Sequence, residues 1–373
     1  MPDSVHELSA PPTDVLPVLA GLLRDAVLLV ERGTASPADV DTAMRLGAGH
    51  PAGPLEVLAG LAPADRAALG LPHDSLADAD PGSVLPPHRT WSGPVGVAGT
   101  GHMAGGIAEA IARSGRPVRV LARSTAAGDG LVGRLTASLD RAVSRGRLDE
   151  SGRQDVLDRV SVITEPGDLA DVDVVVEAVA EDLDVKAAVV SRLDASLPAT
   201  VPLATNTSSF RVADLRLFVA GPRPVIALHF FNPAQVMKLV EVVVPGDLPG
   251  ADGLRASALT WARHLGKTPI TCADSRGFVV NRLLIPFLND AVRLHEDGRG
   301  VDEVDVLLRT GAGHPMGPLA LIDLIGVDVT IAALESMAAV EDDPRIRPAA
   351  TLLALAEAGR LGRKTGAGFH SYP

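Results

Sequence analysis

The chain has 373 residues, of which 46% are hydrophobic and 21% charged, and 34 basic against 46 acidic side chains give a formal net charge of −12. This length favours two or three domains, and the composition excludes a wholly disordered chain. The negative charge, without a basic block, argues against nucleic acid or an anionic membrane as the main partner. One cysteine, Cys272, excludes an intrachain disulfide and a cysteine metal cluster. We expect an enzyme-sized protein without a metal site. We expect it to be cytoplasmic, because the N-terminus lacks a signal-peptide pattern and no apolar run reaches about 18 residues.

A repeat occurs near both ends of the chain. Residues 47–55 (GAGHPAGPL) return at 311–319 (GAGHPMGPL) with eight of nine positions identical, and Asp41 upstream has its counterpart in Asp305. Both copies predict a helix, a short polar turn, a second helix and a Gly/Pro-rich loop that starts a third helix. The sequence therefore predicts a duplicated helical unit.

The repeat and the change in sequence pattern between its copies predict the domain boundaries. Residues 1–78 are expected to form a helical partial repeat of a C-terminal helical domain at 276–373. Residues 79–92 are polar and proline-rich, which is typical of a linker. Between 93 and 275, short Val/Ala/Ile runs alternate with helical patterns, which predicts an α/β domain with a parallel sheet.

A glycine-rich loop follows the first predicted strand of this α/β domain. Gly99, Gly101 and Ala104 fit the G-x-G-x-x-G/A pattern, with His102 and Met103 between them at the start of a predicted helix. The glycines permit a tight turn and a close approach to a pyrophosphate, and the helix N-terminus offers unpaired N–H groups to it. The sequence predicts a Rossmann-type dinucleotide-binding domain.

The end of the second predicted strand bears on the choice of dinucleotide. NAD-specific sites normally place a carboxylate there to hold the ribose hydroxyls. This chain has Ala122, followed by Arg123 and Ser124, which could meet a 2′-phosphate. We expect an NAD(P) cofactor, with NADP favoured over NAD.

Five further segments resemble the 3-hydroxyacyl-CoA dehydrogenase family. They are 205–209 (TNTSS), 228–233 (LHFFNP), 237–242 (MKLVEV), 277–282 (GFVVNR) and 364–369 (KTGAGF). The resemblance covers about residues 93–373 in the order and spacing of that family. It implies oxidation of 3-hydroxyacyl thioesters, or the reverse reaction, by hydride transfer.

The resemblance also implies the catalytic residues. His229, at a predicted strand end, suits a general base because imidazole titrates near neutral pH. Glu241, on the adjacent strand, could accept the other ring N–H and stabilise the imidazolium. Ser208 and Asn232 are expected to bond the reacting oxygen, and Asn281 the thioester.

By the same resemblance, Glu177, Lys186, Asn206 and Lys364 are expected to bind the dinucleotide. The chain departs from the family after the second strand, where relatives offer lysines to CoA phosphates and this chain carries arginines, among them Arg141. The expected substrate is a short-chain acyl-CoA. One alternative is a small hydroxyacyl unit on an acyl carrier protein in polyketide extender-unit assembly, and another is a non-catalytic dinucleotide-binding or structural protein.

The N-terminal copy is predicted to lack a catalytic group, because Leu16 aligns with Asn281. Its loop should keep the turn geometry of the second copy and bury Leu46, Leu55 and Leu58. Family members pair their helical domains, so the chain is expected to be a homodimer or a monomer with an intramolecular pseudo-dimer interface.

Overall fold

The computed structural model describes residues 15–71 and 85–372. The chain divides into two compact units, which we call the sheet unit (residues 82–275) and the helical unit (the residues up to 81 together with 276–373). The helical unit is therefore built from both ends of the chain.

The sheet unit contains one eight-stranded sheet in the order β3-β2-β1-β4-β5-β6-β7-β8. Its strands are β1 Val95–Ala98, β2 Val118–Leu121, β3 Val160–Ile163, β4 Val175–Glu177, β5 Leu203–Thr205, β6 Val225–Phe230, β7 Leu239–Val243 and β8 Thr268–Thr271. Strands β1 to β6 are parallel, β7 runs antiparallel to β6, and β8 is parallel to β7. The first six strands have the order of a Rossmann fold, which confirms the predicted fold class.

Helices connect the strands and cover both faces of the sheet. They are α5 His102–Arg113, α6 Thr125–Ser144, α7 Glu150–Asp158, α8 Leu183–Ser196, α9 Val212–Arg216 and α10 Ala251–His264. Strand β1 is buried along its whole length, as expected for a parallel sheet that is covered on both faces. Strand β8 was not predicted. It lies at the edge of the sheet, so no further strand needs the backbone N–H that Pro269 lacks.

The segment predicted as a linker, 79–92, lies partly outside the described residues. From Leu85 onward it packs on the sheet unit. Trp91 is buried against Trp261 with ring centroids 6.0 Å apart, and Arg89 forms an ion pair of 2.7 Å with Asp173. The described end of this segment is therefore part of the core of the sheet unit.

The helical unit begins with α1 Leu16–Glu31, α2 Pro37–Gly47, α3 Pro54–Gly60 and α4 Pro63–Ala68, and continues after the sheet unit with α11 Val280–Glu296, α12 Val301–Gly311, α13 Pro318–Ile325, α14 Val327–Ala338 and α15 Ala350–Glu357. Helix α1 packs against α11, and α2 also contacts α11. Proline at the first position of α2, α3 and α13 suits a helix start, where no N–H partner is needed.

The two copies of the repeat build the same helix start with the same side chain. Asp41 accepts the backbone N–H groups of Leu55 and Glu56 at 2.8 and 3.1 Å. Asp305 accepts those of Leu319 and Ala320 at 2.8 and 3.2 Å. Each aspartate lies 14 residues before the first of its amides and satisfies donors that a helix N-terminus leaves unpaired.

The repeat loops also pack on each other. Gly49 (φ +73°) and Gly313 (φ +66°) share a left-handed conformation, which glycine adopts without strain. A Cβ atom at Gly49 would lie 3.3 Å from Pro315, and one at Gly313 would lie 3.3 Å from Pro51. The predicted turn geometry is thus shared by both copies, and each loop's glycine faces the other loop's proline.

Burial in the N-terminal copy agrees with the prediction at two of three leucines. Leu55 and Leu58 are buried, whereas Leu46 is only half-buried. The inward face of α2 carries Val40, Ala43 and Met44. The prediction for Leu46 was wrong because two further residues along a helix turn the side chain about 200° from Met44.

Candidate active site

The glycine loop lies between β1 and α5. Gly99 has φ +126°, and a Cβ atom there would lie 2.5 Å from the carbonyl oxygen of Ala178 at the end of the neighbouring strand. Gly101 is the N-cap of α5, so the first turn of the helix directs its N–H groups towards the loop. Only glycine fits at position 99, and the backbone is left open to a ligand.

This loop forms one wall of a groove of about 720 Å³ in the sheet unit. Its other walls come from the end of β2, from the residues after β4 and from α8. The groove is lined mainly by apolar side chains and by backbone, and includes Thr100, His102, Met103, Arg123, Val179 and Val185. A groove at the carboxyl edge of a parallel sheet, beside a helix N-terminus, has the shape and polarity that a dinucleotide requires.

The residues after β2 lie at this groove. Ala122 is buried and lines it, and Arg123 is exposed and also lines it. The hydroxyl of Ser124 accepts the N–H of Ala127 at 3.3 Å as the N-cap of α6. An arginine at the rim of the groove and a hydroxyl at a helix start are both suited to an anion.

Glu177 and Lys186, which are both predicted to bind the dinucleotide, are buried and paired with each other. They form an ion pair of 3.0 Å, and each side chain is 1% exposed. Glu177 also accepts the hydroxyl of Thr205 at 2.7 Å and the N–H of Val179 at 2.8 Å. The polar atoms of these two side chains bond each other and the strand ends, and their contact with a dinucleotide stays a prediction.

Glu181 was missed by the sequence analysis. Its carboxylate lies 3.1 Å from the ammonium group of Lys186 and accepts the hydroxyl of Thr207 at 2.6 Å and the N–H groups of Ser208 and Ser209 at 2.8 and 2.9 Å. The available signal was a carboxylate in the loop directly after a buried strand, at the carboxyl edge of the sheet.

His229 and Glu241 lie opposite each other on β6 and β7. The distance from His229 Nδ1 to the Glu241 carboxylate is 2.6 Å, and the residues are 5% and 0% exposed. Because a carboxylate only accepts, the short bond assigns the proton to Nδ1 and the lone pair to Nε2. Phe231 packs beside the imidazole with ring centroids 4.5 Å apart. The sequence-predicted pair is therefore brought together, in the geometry of a general base and its orienting acid.

Three further predicted residues follow the ends of β5 and β6. The Asn206 side chain accepts the N–H of Phe230 at 2.8 Å, which joins the ends of the two strands. Ser208 lies on the same loop, half-buried, and Asn232 is exposed two residues after β6. Parallel strands bring their carboxyl ends to one edge, so these polar groups and His229 occupy the same edge of the sheet.

A second cavity of about 340 Å³ opens beside Asn232. It lies between α5, α6 and the loop after β6, and its walls include His102, Arg134, Ser138 and Arg141. Arg134 also donates to the carbonyl of Thr100 in the glycine loop. His102 lines both the groove and this cavity, so the two openings adjoin at the start of α5.

Asn281 and Lys364 belong to the helical unit. Asn281 is in the first turn of α11. The ammonium group of Lys364 forms an ion pair with Asp328, with distances of 2.5 and 2.6 Å to the two carboxylate oxygens. Within the described ranges 15–71 and 85–372, none of the helices is both long and apolar enough to cross a membrane.

Comparison with known proteins gives a consistent result for both units. Residues 94–275 match the family "3-hydroxyacyl-CoA dehydrogenase, NAD binding domain". Residues 16–72 and 277–372 match "3-hydroxyacyl-CoA dehydrogenase, C-terminal domain". The second match includes the N-terminal copy of the repeat as well as the C-terminal segment.

Individual relatives agree with these matches. A 3-hydroxybutyryl-CoA dehydrogenase of Mycobacterium tuberculosis is 40% identical over 281 residues, which are 74% of this chain and 98% of the relative. One from Clostridioides difficile is 36% identical over 283 residues, again 74% and 98%. The crystal structure of M. tuberculosis FadB2 superposes with a TM-score of 0.71 at 39% identity and covers 75% of this chain and 98% of that one. The chain therefore belongs to the 3-hydroxyacyl-CoA dehydrogenase family.

Proposed function

We propose that this protein interconverts 3-hydroxyacyl-CoA and 3-oxoacyl-CoA thioesters with NAD(P), and that His229 is the general base. The observation that carries the proposal is the buried 2.6 Å contact between His229 and Glu241 at the carboxyl edge of the sheet. A protein that only binds a dinucleotide needs no such base. The membership of the family and the names of its relatives support the same activity.

The residues present fit a nicotinamide dinucleotide. The positive φ of Gly99, the N-terminus of α5 and the groove beside them provide a close backbone approach and N–H groups for a pyrophosphate. A nicotinamide held there would supply the hydride acceptor for oxidation of the alcohol and the hydride donor for the reverse reaction. Val185 and Val189 of α8 line the groove with apolar side chains, which suit an aromatic ring.

The protein's own part in the reaction is proton transfer and charge stabilisation. His229 Nε2 takes the hydroxyl proton during oxidation, and Glu241 stabilises the imidazolium that forms. Ser208 and Asn232 offer a hydroxyl and an amide to the reacting oxygen, where negative charge develops. In the reverse direction the imidazolium returns the proton. Asn281 and Lys364 retain the roles that the family resemblance gives them, towards the thioester and the dinucleotide.

Arg134 and Arg141 support a nucleotide thioester as the substrate. Both line the cavity beside Asn232, and guanidinium groups bind phosphates through paired N–H donors. We assign this cavity to the CoA portion of the substrate, with arginines in place of the lysines of relatives. The assignment accounts for the departure noted in the sequence after β2.

We further infer a preference for NADP over NAD. The support is the buried Ala122 at the position of the usual carboxylate, with Arg123 exposed at the rim of the groove. The 2′-phosphate of NADP at that rim would contact a guanidinium and the N-terminus of α6. The ribose of NAD would have no carboxylate to bind, because alanine occupies position 122.

We also propose that the N-terminal repeat takes the place of a second subunit, so that the chain is a monomer with an intramolecular pseudo-dimer interface. The support is the packing of α1 on α11 and of the two repeat loops on each other. An apolar face covered within the chain is not available for pairing with another copy.

The activity is tested by following oxidation of NADH and NADPH with acetoacetyl-CoA. We expect turnover with both and a lower KM for NADPH. Acetoacetyl-pantetheine, which lacks the nucleotide, should have a higher KM than acetoacetyl-CoA. Arg141→Gln should raise the KM of acetoacetyl-CoA and leave the KM of acetoacetyl-pantetheine unchanged. The same change at Arg145, also exposed on this helix end, is the matched control. Absence of turnover with both cofactors would overturn the proposal.

A further inference from the structure

One ammonium group holds the loop between β6 and β7, which comprises residues 231–238. Lys267 Nζ donates to the carbonyl oxygens of Ala234 and Met237, at 2.5 and 2.7 Å. Two carbonyls of the same loop therefore converge on a single cation. Hydrogen bonds from a charged donor are shorter and stronger than those between neutral groups.

This ammonium group is buried. Lys267 is 8% exposed, and no acidic side chain in the described part of the chain pairs with it. Burial, together with the neighbouring charge of Lys238, lowers the pKa of Lys267 to about 8. The group is still mostly charged at pH 7, and a buried charge is costly unless it is hydrogen-bonded. The two loop carbonyls are thus the groups that compensate the burial of this cation.

The sheet fixes both ends of the loop. Phe230 pairs with Val240 where β6 and β7 meet the loop, and the N–H of Thr268 in β8 bonds the carbonyl of Lys238 at 2.8 Å. The position of the ends is therefore set by strand pairing. The freedom that remains lies between them, in the part of the loop that the Lys267 ammonium group binds.

Asn232 lies in this freer part of the loop. Its side-chain amide makes no hydrogen bond to another described residue, so the backbone of the loop determines where the amide lies. A tight turn follows Asn232 directly, in which the N–H groups of Val236 and Met237 both bond the carbonyl of Pro233 at 2.9 Å. Lys267 binds this turn through the two carbonyls that point away from it.

We propose that Lys267 is a positioning residue, whose ammonium group fixes the turn after Asn232 and so holds the Asn232 amide at the reacting oxygen. This inference rests on the proposed function, which gives Asn232 that role. Without the ammonium group, the carbonyls of Ala234 and Met237 lose their common donor and the turn is free to shift. A displacement of about 1 Å is enough to cost about 100-fold in rate.

The test compares Lys267→Met and Lys267→Arg with Asn232→Ala and with the double variant Lys267→Met/Asn232→Ala. Lys267→Met should lower kcat with acetoacetyl-CoA by about 10–100-fold and leave the Kd of NADH within about twofold. Lys267→Arg keeps charged N–H donors and should lose less of kcat. In the double variant kcat should fall little below that of Asn232→Ala, because residues that act as a unit are not additive. Arg263→Met removes an exposed cation from the last turn of α10 in the same unit and is the matched control.

Independent, multiplicative losses in the double variant would overturn the inference. A lower thermal stability of Lys267→Met with a native kcat would also overturn it and leave Lys267 a purely structural role.

Hydrogen exchange supplies a readout that does not depend on activity. Exchange at Val236 and Met237 should be faster in Lys267→Met than in the native chain, with exchange in β1 unchanged, even if thioester turnover is not found and the proposed function fails. If Lys267→Met does not fold, Lys267→Gln takes its place, because its amide keeps two N–H donors without the charge, and changes of the same direction are expected. Unchanged exchange at Val236 and Met237 would show that Lys267 does not hold the loop.

Discussion

The imidazole rings of His50 and His314 stack with centroids 3.9 Å apart and an interplanar angle of 20°. They are the fourth residues of the two matching loop sequences, so the contact joins equivalent positions of the repeat. Phe287 packs edge-on against both rings, at 6.0 and 5.5 Å. Burial lowers the pKa of His50 well below its ordinary value, assisted by the neighbouring His314, and burial lowers the pKa of His314 to about 4.

The His50–His314 pair predicts that acid weakens the packing of the two copies of the repeat against each other. Both histidines are neutral when folded, whereas the unfolded chain protonates them near pH 6.5. Their contribution to stability is therefore lost as the pH falls from 6.5 towards 4, by up to about 3 kcal/mol for His314. Asp41 acts in the opposite sense, because burial raises its pKa to about 6.

The comparison must therefore be made between variants. We expect the double variant His50→Phe/His314→Phe to lose less free energy of unfolding between pH 7 and pH 4.5 than the native chain, measured by urea denaturation with far-ultraviolet circular dichroism. The same pH dependence in both proteins would show that His50 and His314 do not cause the loss of stability in acid.

A second prediction concerns Arg345, which joins Asp25 in the N-terminal copy of the repeat to Asp290 in the C-terminal copy. Its guanidinium lies 2.7 Å from Asp25 and 2.6 Å from Asp290. Arg345→Met would leave two carboxylates close together and partly buried, so we expect a loss of about 2–4 kcal/mol in the free energy of unfolding. Adding Asp25→Asn should restore part of it. Arg347→Met, which removes an exposed pair with Asp342, should change stability by less than about 0.5 kcal/mol, and an equal loss in both variants would refute the role of Arg345.

Deletion of residues 1–80 should uncover the face of α11 on which α1 packs. We expect the truncated protein to self-associate or lose stability, whereas the full chain should have the monomer mass of 38.5 kDa by light scattering. Both tryptophans, Trp91 and Trp261, lie in the sheet unit, so native tryptophan emission would show that this unit remains folded. A full-length protein that is a dimer, and that is still a dimer after the deletion, would contradict the pseudo-dimer proposal.

Cofactor choice is tested at Arg123. If its guanidinium binds a 2′-phosphate, Arg123→Ala should raise the Kd of NADPH by about 10-fold or more and leave that of NADH nearly unchanged. The measurement is titration of NADPH and NADH fluorescence, with Arg192→Ala as the control, because Arg192 lines the same groove from α8. Equal affinities that do not respond to Arg123→Ala would show that this side chain only faces solvent.

Much of this arrangement could be predicted from local sequence. The glycine loop, the buried strands and the repeat each depend on residues close together in the chain. The pairing of His229 with Glu241 was also within reach, since a turn between two strands places residues 12 apart opposite each other.

Other features depend on contacts that sequence spacing does not encode. The burial of Lys186 between Glu177 and Glu181 is decided by how α8 packs at the end of β4, which the spacing of these residues in the sequence does not predict. Strand β8 escaped prediction because it is short and contains a proline. Glu181 was missed because its partners, Thr207 to Ser209, are 26–28 residues away on another strand end.

The proposed reaction depends on His229 as the general base. We expect His229→Gln to lower kcat with acetoacetyl-CoA by about 10²–10⁴-fold while the Kd of NADH is nearly unchanged, since the substitution removes the proton acceptor and leaves the groove intact. His264→Gln, the same change at an exposed histidine of the sheet unit, should turn over at the native rate. Native turnover in His229→Gln would contradict the role of the His229–Glu241 pair and with it the proposed mechanism.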